Sequence, residues 1–523
     1  MREKTCTNFI KWSVLLFIGY ILIYPLANMI LQIQIKDIGF VFRDHAFKQA
    51  IMNSIKVTSV ASIFSLVLGY LLAYTIMQTN IKLKEQFKLI ITLPMLLPSI
   101  SHGLGLINLF GENGLITKYL NINIDLYGFN GIVIGSVIYT LPVAFLMLLD
   151  GMRYIDRSKY EVVEVMGIPK RYHTVVVMWP YMKKPICIAF FAIAAMIFTD
   201  YGIPLAIGGR YTTLATYLYT EVIGLLDFSK GAIVGCILLI PSILNFLLDV
   251  SVQDIKALED RRDDVLPSMH SISQWFFKGI CILVSIFIIA IIISFSTMAV
   301  ASKYPYDLTW SIKHMDTVVQ KHGIKYLFNS IWISSMVAIL GSVLTYGFAY
   351  ITTRFKQDWL AKLIHMIAMS SIAIPGIVLG LSYIMSFKGT FIYKTIAILI
   401  LVNIVHFLSS PYLMAYNAMQ KLNKNYEDIG KSLRIGRLRL IKDVFIPNTI
   451  NTILEMFEYF FINSMTTISA VTFLYGIKNM PVSIMVNQFI GSLMFEEAAI
   501  ISLMILITNL VVKVAIKYIK RRY

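Results

Sequence analysis

The chain has 523 residues, of which 57% are hydrophobic and only 14% are charged, and its mean hydropathy is +0.72. This composition excludes an ordinary soluble globular protein and predicts an integral membrane protein. The formal charge of +17 does not indicate nucleic-acid binding, because the basic residues are spread between apolar segments. The four cysteines are scattered without paired spacing, so we expect neither a disulfide framework nor a metal site, and no cofactor.

Twelve apolar segments are long enough to cross a bilayer core of about 30 Å, which needs roughly 20 residues per helix. The first is longer than a signal-peptide core and lacks a cleavage pattern, so it is interpreted as a retained span. Prolines within several spans, Pro98 and Pro375 among them, are expected to kink their helices. The approximate predicted limits are 10–34, 54–77, 88–110, 128–149, 184–206, 231–250, 275–299, 329–351, 362–386, 395–418, 449–474 and 497–518.

An internal repeat divides these spans into two sets. Residues 53–74 match residues 329–350 at 10 of 22 positions, with an offset of 276. We therefore predict two homologous halves, 1–250 and 275–523, joined by a charged cytoplasmic linker at 251–274. Six spans in each half make the repeats parallel. The predicted fold is an all-α polytopic membrane protein with about 12 transmembrane helices in two parallel six-helix repeats.

The distribution of basic residues predicts the orientation of the chain. If the N-terminus is cytoplasmic, the cytoplasmic segments hold 32 of the 46 lysines and arginines. This excess follows the positive-inside rule. Both termini are therefore expected in the cytoplasm.

A polar, basic segment interrupts the apolar pattern at a similar place in each half, at residues 160–180 and 426–447. Each segment begins with carboxylates, passes a turn position and a basic amphipathic stretch, and ends at a proline before the next span. Each is predicted to form a short helix, a turn and a second helix outside the bilayer. The candidate residues in these loops are Glu161, Glu164, Gly167, Pro180, Glu427, Asp428, Arg434 and Pro447.

The first loop resembles a known motif. Its Glu161-Val162-Val163 triplet, Gly167 and Pro180 fall at the spacing of the EAA loop of bacterial ABC-importer permeases. In that family the loop is the cytoplasmic coupling helix that docks on an ATPase subunit. Apolar side chains of the loop, including Val162 and Val163, are expected to face the groove of that partner.

The second loop is a weaker match to the same motif. Aligned on Pro447, it places Asp428 at the glutamate position and Arg434 at the glycine position, and Gly436 comes two residues late. Glycine is the residue that a left-handed turn favours. The second turn is therefore expected to copy the first less faithfully.

Two such loops in one polytopic chain resemble the fused two-domain permeases for ferric iron, 2-aminoethylphosphonate, thiamine or polyamines. The resemblance implies a translocation pathway in the bacterial inner membrane, two copies of a separate ABC ATPase subunit and an extracytoplasmic solute-binding protein. The implied substrate is ferric iron, a phosphonate or another small solute. Since the sequence contains no Walker A pattern, we expect the chain itself not to hydrolyse ATP.

Polar residues within the apolar spans are candidates for the solute path. Asp200 lies at the outer end of the fifth predicted span, and its counterpart at an offset of 267 is Thr467. The alternative is that Asp200 and Thr199 only cap the end of a helix. The candidate path residues are Thr199, Asp200, Tyr201, Ser464, Thr466, Thr467 and Ser469.

A twelve-span secondary transporter is the alternative function. The repeated cytoplasmic loops and the shortage of buried ionisable residues for ion coupling argue against it. A membrane-embedded enzyme would need a clustered nucleophile, metal or acid-base set, and the sequence suggests none.

Overall fold

A computed structural model describes residues 2–121, 125–153, 155, 157–256, 271–355, 358–423 and 425–522. Most of the predicted linker, residues 257–270, lies outside the described residues. In the described part of the chain the strands form a single antiparallel hairpin, Ala301–Lys303 (β1) and Asp307–Trp310 (β2). Helix makes up nearly all of the remaining regular structure.

The helices are numbered in chain order within the described ranges. Up to residue 256 they are α1 to α14: Arg2–Ile18, Tyr24–Leu31, Ile35–Arg43, His45–Gln78, Lys84–Thr92, Ser99–Phe110, Leu115–Leu120, Phe129–Met152, Arg157–Val165, Lys170–His173, Trp179–Thr199, Gly202–Ile207, Leu214–Tyr219 and Phe228–Lys256. From residue 271 they are α15 to α27: Ser271–Val300, Lys313–Gln320, Gly323–Arg354, Trp359–Ser370, Gly376–Phe387, Ile396–His406, Ser409–Lys421, Tyr426–Ser432, Arg437–Leu440, Ile446–Asn448, Ile450–Thr466, Val482–Gly491 and Phe495–Lys520. Short π-helical or 3₁₀ segments are Gly19–Ile23, Leu93–Leu96, Thr174–Met178, Thr220–Gly224, Ser371–Ala373 and Ile441–Phe445.

The described helices confirm a polytopic all-α membrane protein. Eight of them are long and apolar enough to cross a membrane, and the number rises to eleven if each of three bent helix pairs counts as one span. The remaining predicted span, 449–474, contains α25, which has 17 residues and ends at Thr466. The fifth predicted span is also shorter than expected at its C-terminal end, because α11 ends at Thr199 rather than near residue 206.

The third and ninth predicted spans are broken, not merely kinked. The helices on either side of Pro98 meet at 105°, and those on either side of Pro375 meet at 108°. The residue before a proline is disfavoured in the α conformation, and Leu97 and Ile374 are both extended, with ψ of 146° and 107°. The same break therefore occurs at equivalent places in the two halves.

The first span of each half packs against the other half. α1 and α2 lie against α18 and α19, whereas α15 lies against α4 and α6. On one side the buried Lys11 forms an ion pair with Asp358, with 2.8 Å between the charged atoms. On the other side the Thr75 hydroxyl donates to the Phe277 carbonyl at 3.3 Å. One apolar core consequently runs through both halves.

The same close approach of two chain segments occurs in both halves, but the glycine and the serine that meet there have exchanged positions. A Cβ atom on Gly202 would lie against the Ser99 hydroxyl, and one on Gly376 would lie against the Ser469 hydroxyl. Gly376 is the repeat counterpart of Ser99, and Ser469 is that of Gly202. Each half has room for only one side chain at this crossing. The first half carries it on the segment with Ser99, and the second half carries it on the other segment, with Ser469.

Candidate functional site

The turn of the first loop is a glycine-ended helix terminus. α9 ends at Val165, and Gly167 follows in the left-handed region with φ of 69°. The N–H of Gly167 donates to the Glu164 carbonyl at 3.0 Å, and the N–H of Ile168 donates to the Val163 carbonyl at 3.2 Å. These two bonds form a Schellman motif, which satisfies carbonyls at the end of a helix and turns the chain away from its axis.

The second loop makes the same turn without the glycine. Arg434 has φ of 55°, its N–H donates to the Lys431 carbonyl at 3.1 Å, and the N–H of Ile435 donates to the Gly430 carbonyl at 2.8 Å. Gly436 has an ordinary φ of −65° and precedes α23. The expectation that Arg434 would change the turn was wrong for the backbone, although a left-handed arginine costs about 1 kcal/mol relative to glycine.

The chain beyond the turn is also repeated. The short helices α10 and α23 are followed by π-helical turns at Thr174–Met178 and Ile441–Phe445. Pro180 and Pro447 then follow as the second residues of α11 and α24. The two loops therefore correspond residue for residue from turn to proline.

Apolar side chains are exposed at equivalent positions of the two loops. Val162 and Met166 are 57% and 69% exposed in the first loop, and their counterparts Ile429 and Leu433 are 52% and 65% exposed in the second. Val163 is buried, so the prediction that it would face a partner was wrong. Each loop thus presents a pair of apolar side chains one helical turn apart.

The candidate acids of the loops separate into two groups. Glu161, Glu164 and Asp428 are exposed. Asp428 forms an ion pair with Lys431 at 3.0 Å, and Lys431 is the repeat counterpart of Glu164, so the two surfaces differ in charge. Glu427 differs from the rest because it turns inward, with its carboxylate 3.2 Å from the guanidinium of Arg354.

Asp200 caps a helix in this structure. Its carboxylate accepts a hydrogen bond from the N–H of Ile203 at 3.0 Å, at the start of α12. Thr199 donates its hydroxyl to the Ala195 carbonyl at 2.8 Å. Both contacts are those of the alternative interpretation, in which these residues cap a helix.

Tyr201 joins the two halves. Its side chain is 1% exposed, its hydroxyl lies 2.6 Å from that of Thr472, and its ring stacks on Tyr219 with 5.2 Å between centroids. Thr472 was not recognised in the sequence, because its repeat counterpart is the apolar Leu205. The contact brings the segments that follow α11 and α25 together.

Most of the hydroxyl residues predicted for the second half have hydrogen-bond partners within the protein. Ser464 accepts a hydrogen bond from Ser334 at 3.2 Å, Thr466 donates to the Ile462 carbonyl at 3.0 Å, and the carbonyl of Thr467 accepts from Ser483 at 2.7 Å. Ser469, the last member of the set, contacts Gly376 at the crossing described above.

Two cavities lie between the halves on either side of Thr472 and Tyr475, which border both. Their volumes are about 530 Å³ and 570 Å³. Tyr219 also borders the first, and Lys394 and Lys478 border the second. Among the described residues that line them there is no carboxylate, and these linings could not be predicted because they join distant loops.

The sequence did not predict one group of possible metal ligands. His314, Glu496 and Glu497 place one ligand atom each within 4.8 Å of one another. Nδ1 of His314 lies 3.1 Å from the Glu497 carboxylate, and Nε2 lies 3.3 Å from the Ser302 carbonyl. Both imidazole nitrogens therefore already have partners within the protein.

The two halves match the same family separately. The description of that family is "binding-protein-dependent transport system inner membrane component", and its model matches residues 65–257 and again residues 341–523. The chain belongs to this family. It is thus a permease component of an ATP-binding-cassette importer, and the match to both halves decides against the alternative of a secondary transporter.

Curated relatives of this permease include transporters of different solutes. The ferric transport system permease protein FbpB of Actinobacillus pleuropneumoniae is 25% identical over 504 residues, which cover 88% of this chain and 71% of the relative. FbpB 1 of Haemophilus influenzae, also described as a ferric transport permease, is 25% identical and covers 82% of this chain and 70% of the relative. The thiamine transport system permease protein ThiP of Haemophilus influenzae is 23% identical, over 40% of each chain.

Proposed function

We propose that the two repeated loops are the docking sites for two ATPase subunits. The main support for this proposal is that both loops form the same turn and expose an apolar pair at equivalent positions, Val162 with Met166 and Ile429 with Leu433. An apolar pair one helical turn apart suits a helix that lies in a groove of a partner. ATP hydrolysis is assigned to that partner, and this chain supplies the membrane path.

The path is proposed to run between the halves, past Tyr201 and Thr472 and the two cavities beside them. An extracytoplasmic binding protein delivers the solute, and both termini and both loops lie in the cytoplasm. The side chains that surround this region make contacts within the protein and reach the solute only when the halves move apart. They are Thr199, Asp200, Ser464, Thr466, Thr467 and Ser469.

Ferric iron is the proposed substrate. The support is that two relatives named for ferric transport align with more than four fifths of this chain, whereas the thiamine relative aligns with 40%. Uptake of radiolabelled ferric iron into cells that express the complete importer tests this, with thiamine and a phosphonate as competitors. No uptake of iron, together with uptake of labelled thiamine or phosphonate in the same cells, would reassign the substrate.

The docking proposal is tested by placing charge on the apolar pairs. The variants Val162→Glu with Met166→Glu, and Ile429→Glu with Leu433→Glu, should insert normally but retain less ATPase on affinity purification, because a buried unpaired carboxylate opposes docking. Val165→Ser is the matched control, since the second loop already has Ser432 at that position. Unchanged retention of the ATPase in both double variants would refute the docking surface.

A further inference from the structure

Each loop is held by the last residue of a long core helix. α4 ends at Gln78 and α17 ends at Arg354, and these residues are equivalent at the repeat offset of 276. Both side chains point into their loop rather than into solvent: Gln78 is 2% exposed and the Arg354 side chain is 4% exposed.

In the first half the contacts are neutral. The side-chain amide of Gln78 donates to the Tyr160 hydroxyl at 3.2 Å and lies 3.8 Å from the sulfur of Met178. Tyr160 belongs to the first helix of the loop, and Met178 belongs to its π-helical turn. All three side chains are buried. We call Gln78, Tyr160 and Met178 the first anchor.

In the second half two of the same three positions carry charge, and the third is aromatic. Nε of Arg354 lies 3.2 Å from the Glu427 carboxylate, and the guanidinium carbon lies 4.7 Å from the centre of the Phe445 ring. Glu427 is the counterpart of Tyr160, and Phe445 is that of Met178. Arg354 also donates to the Asn423 carbonyl at 3.0 Å. We call Arg354, Glu427 and Phe445 the second anchor.

The geometry points to a mechanical role for both anchors. We propose that each anchor is the positioning contact that carries movement of a docked loop to the end of a core helix, α4 in one half and α17 in the other. Each anchor contacts the loop at two points, in its first helix and in its π-helical turn. A shift of the loop is therefore expected to move the end of the core helix with it. This inference rests on the proposed docking of the ATPase to the loops.

The chemistry of the second anchor makes it the sharper test. Removing one partner of a buried ion pair leaves the other charge uncompensated, whereas replacing both partners together can be nearly neutral. The first half supplies the replacement that the fold already accepts, glutamine with tyrosine. The variant Arg354→Gln with Glu427→Tyr therefore places the glutamine–tyrosine pair of the first anchor in the second half, beside Phe445.

The experiment uses the complete importer with spin labels at Met52 and Phe328, which are exposed and equivalent positions on α4 and α17. The distance between the labels is measured without nucleotide and after trapping with ATP and vanadate. Arg354→Gln and Glu427→Tyr alone should each reduce the nucleotide-dependent shift in distance, with the ATPase still retained on purification. The double variant should restore the shift.

A matched control removes a different ion pair. Glu85→Gln breaks the contact of Glu85 with Lys88, 2.7 Å apart on α5, and should leave the distance shift unchanged because exposed pairs contribute little. A full shift in the single variants, no shift in the original chain, or no recovery in the double variant would overturn the anchor proposal. Failure of the docking proposal would be seen separately, because the double glutamate variants of the loops would then retain as much ATPase as the original chain.

Discussion

Arg434 shows what a single residue can and cannot change in a repeated loop. Alignment on the closing proline placed it at the glycine position, and the structure has it there, with the left-handed φ that Gly167 has in the first half. Propensity alone would disfavour this position for arginine. The pair of Schellman hydrogen bonds and the packing of Leu440 against Gly430 hold the turn in place.

Exchanges at the two turn positions should therefore have opposite effects. Arg434→Gly should raise the melting temperature of the purified permease slightly, because it removes about 1 kcal/mol of backbone strain. Gly167→Val should lower it and reduce ATPase retention, since a β-branched residue is strongly disfavoured at positive φ. Gly167→Arg, which copies the second half, should be tolerated better than Gly167→Val. Equal effects of the two replacements would show that the backbone is not the cause.

At the scale of helices, hydropathy located the spans but missed their shape. A count of about 20 apolar residues is satisfied equally by a straight helix and by two helices that meet at 105°. The prolines at 98 and 375 marked both breaks, but a proline in a membrane helix more often gives a kink. The close crossings at Gly202 and Gly376 could not be predicted, because they depend on which helices meet.

The exchanged glycine and serine give a direct test of that crossing. Gly202→Ser should destabilise the permease by about 1 to 3 kcal/mol, because its side chain would collide with Ser99. Ser99→Gly combined with Gly202→Ser copies the second half and should recover most of the loss. Thermal unfolding in detergent, followed by size-exclusion chromatography, measures both. A double variant as unstable as the single one would refute the view that the halves are interchangeable here.

At the scale of the whole molecule, the repeat was the most informative signal in the sequence. It predicted two halves and two equivalent loops, and both halves match the permease family. It could not predict that the first span of each half packs on the other half, because lipid-facing and protein-facing apolar residues look alike in sequence. The inward contact of Glu427 could not be predicted for a related reason: its partner Arg354 lies 73 residues away. The boundaries 1–250 and 275–523 stay a prediction.

The orientation of the chain is the prediction with the widest consequences, because docking of the ATPase requires both loops on the cytoplasmic side. Cysteines placed at Ser158 and Asn423, in a background without the native cysteines, should react with an impermeant maleimide only after the membrane is opened. The matched control is Leu308→Cys on β2, which is 46% exposed and should react in intact cells. The basis is the excess of basic residues, 32 of 46, in the segments assigned to the cytoplasm. Labelling of Ser158→Cys or Asn423→Cys in intact cells would invert the topology and remove the docking proposal with it.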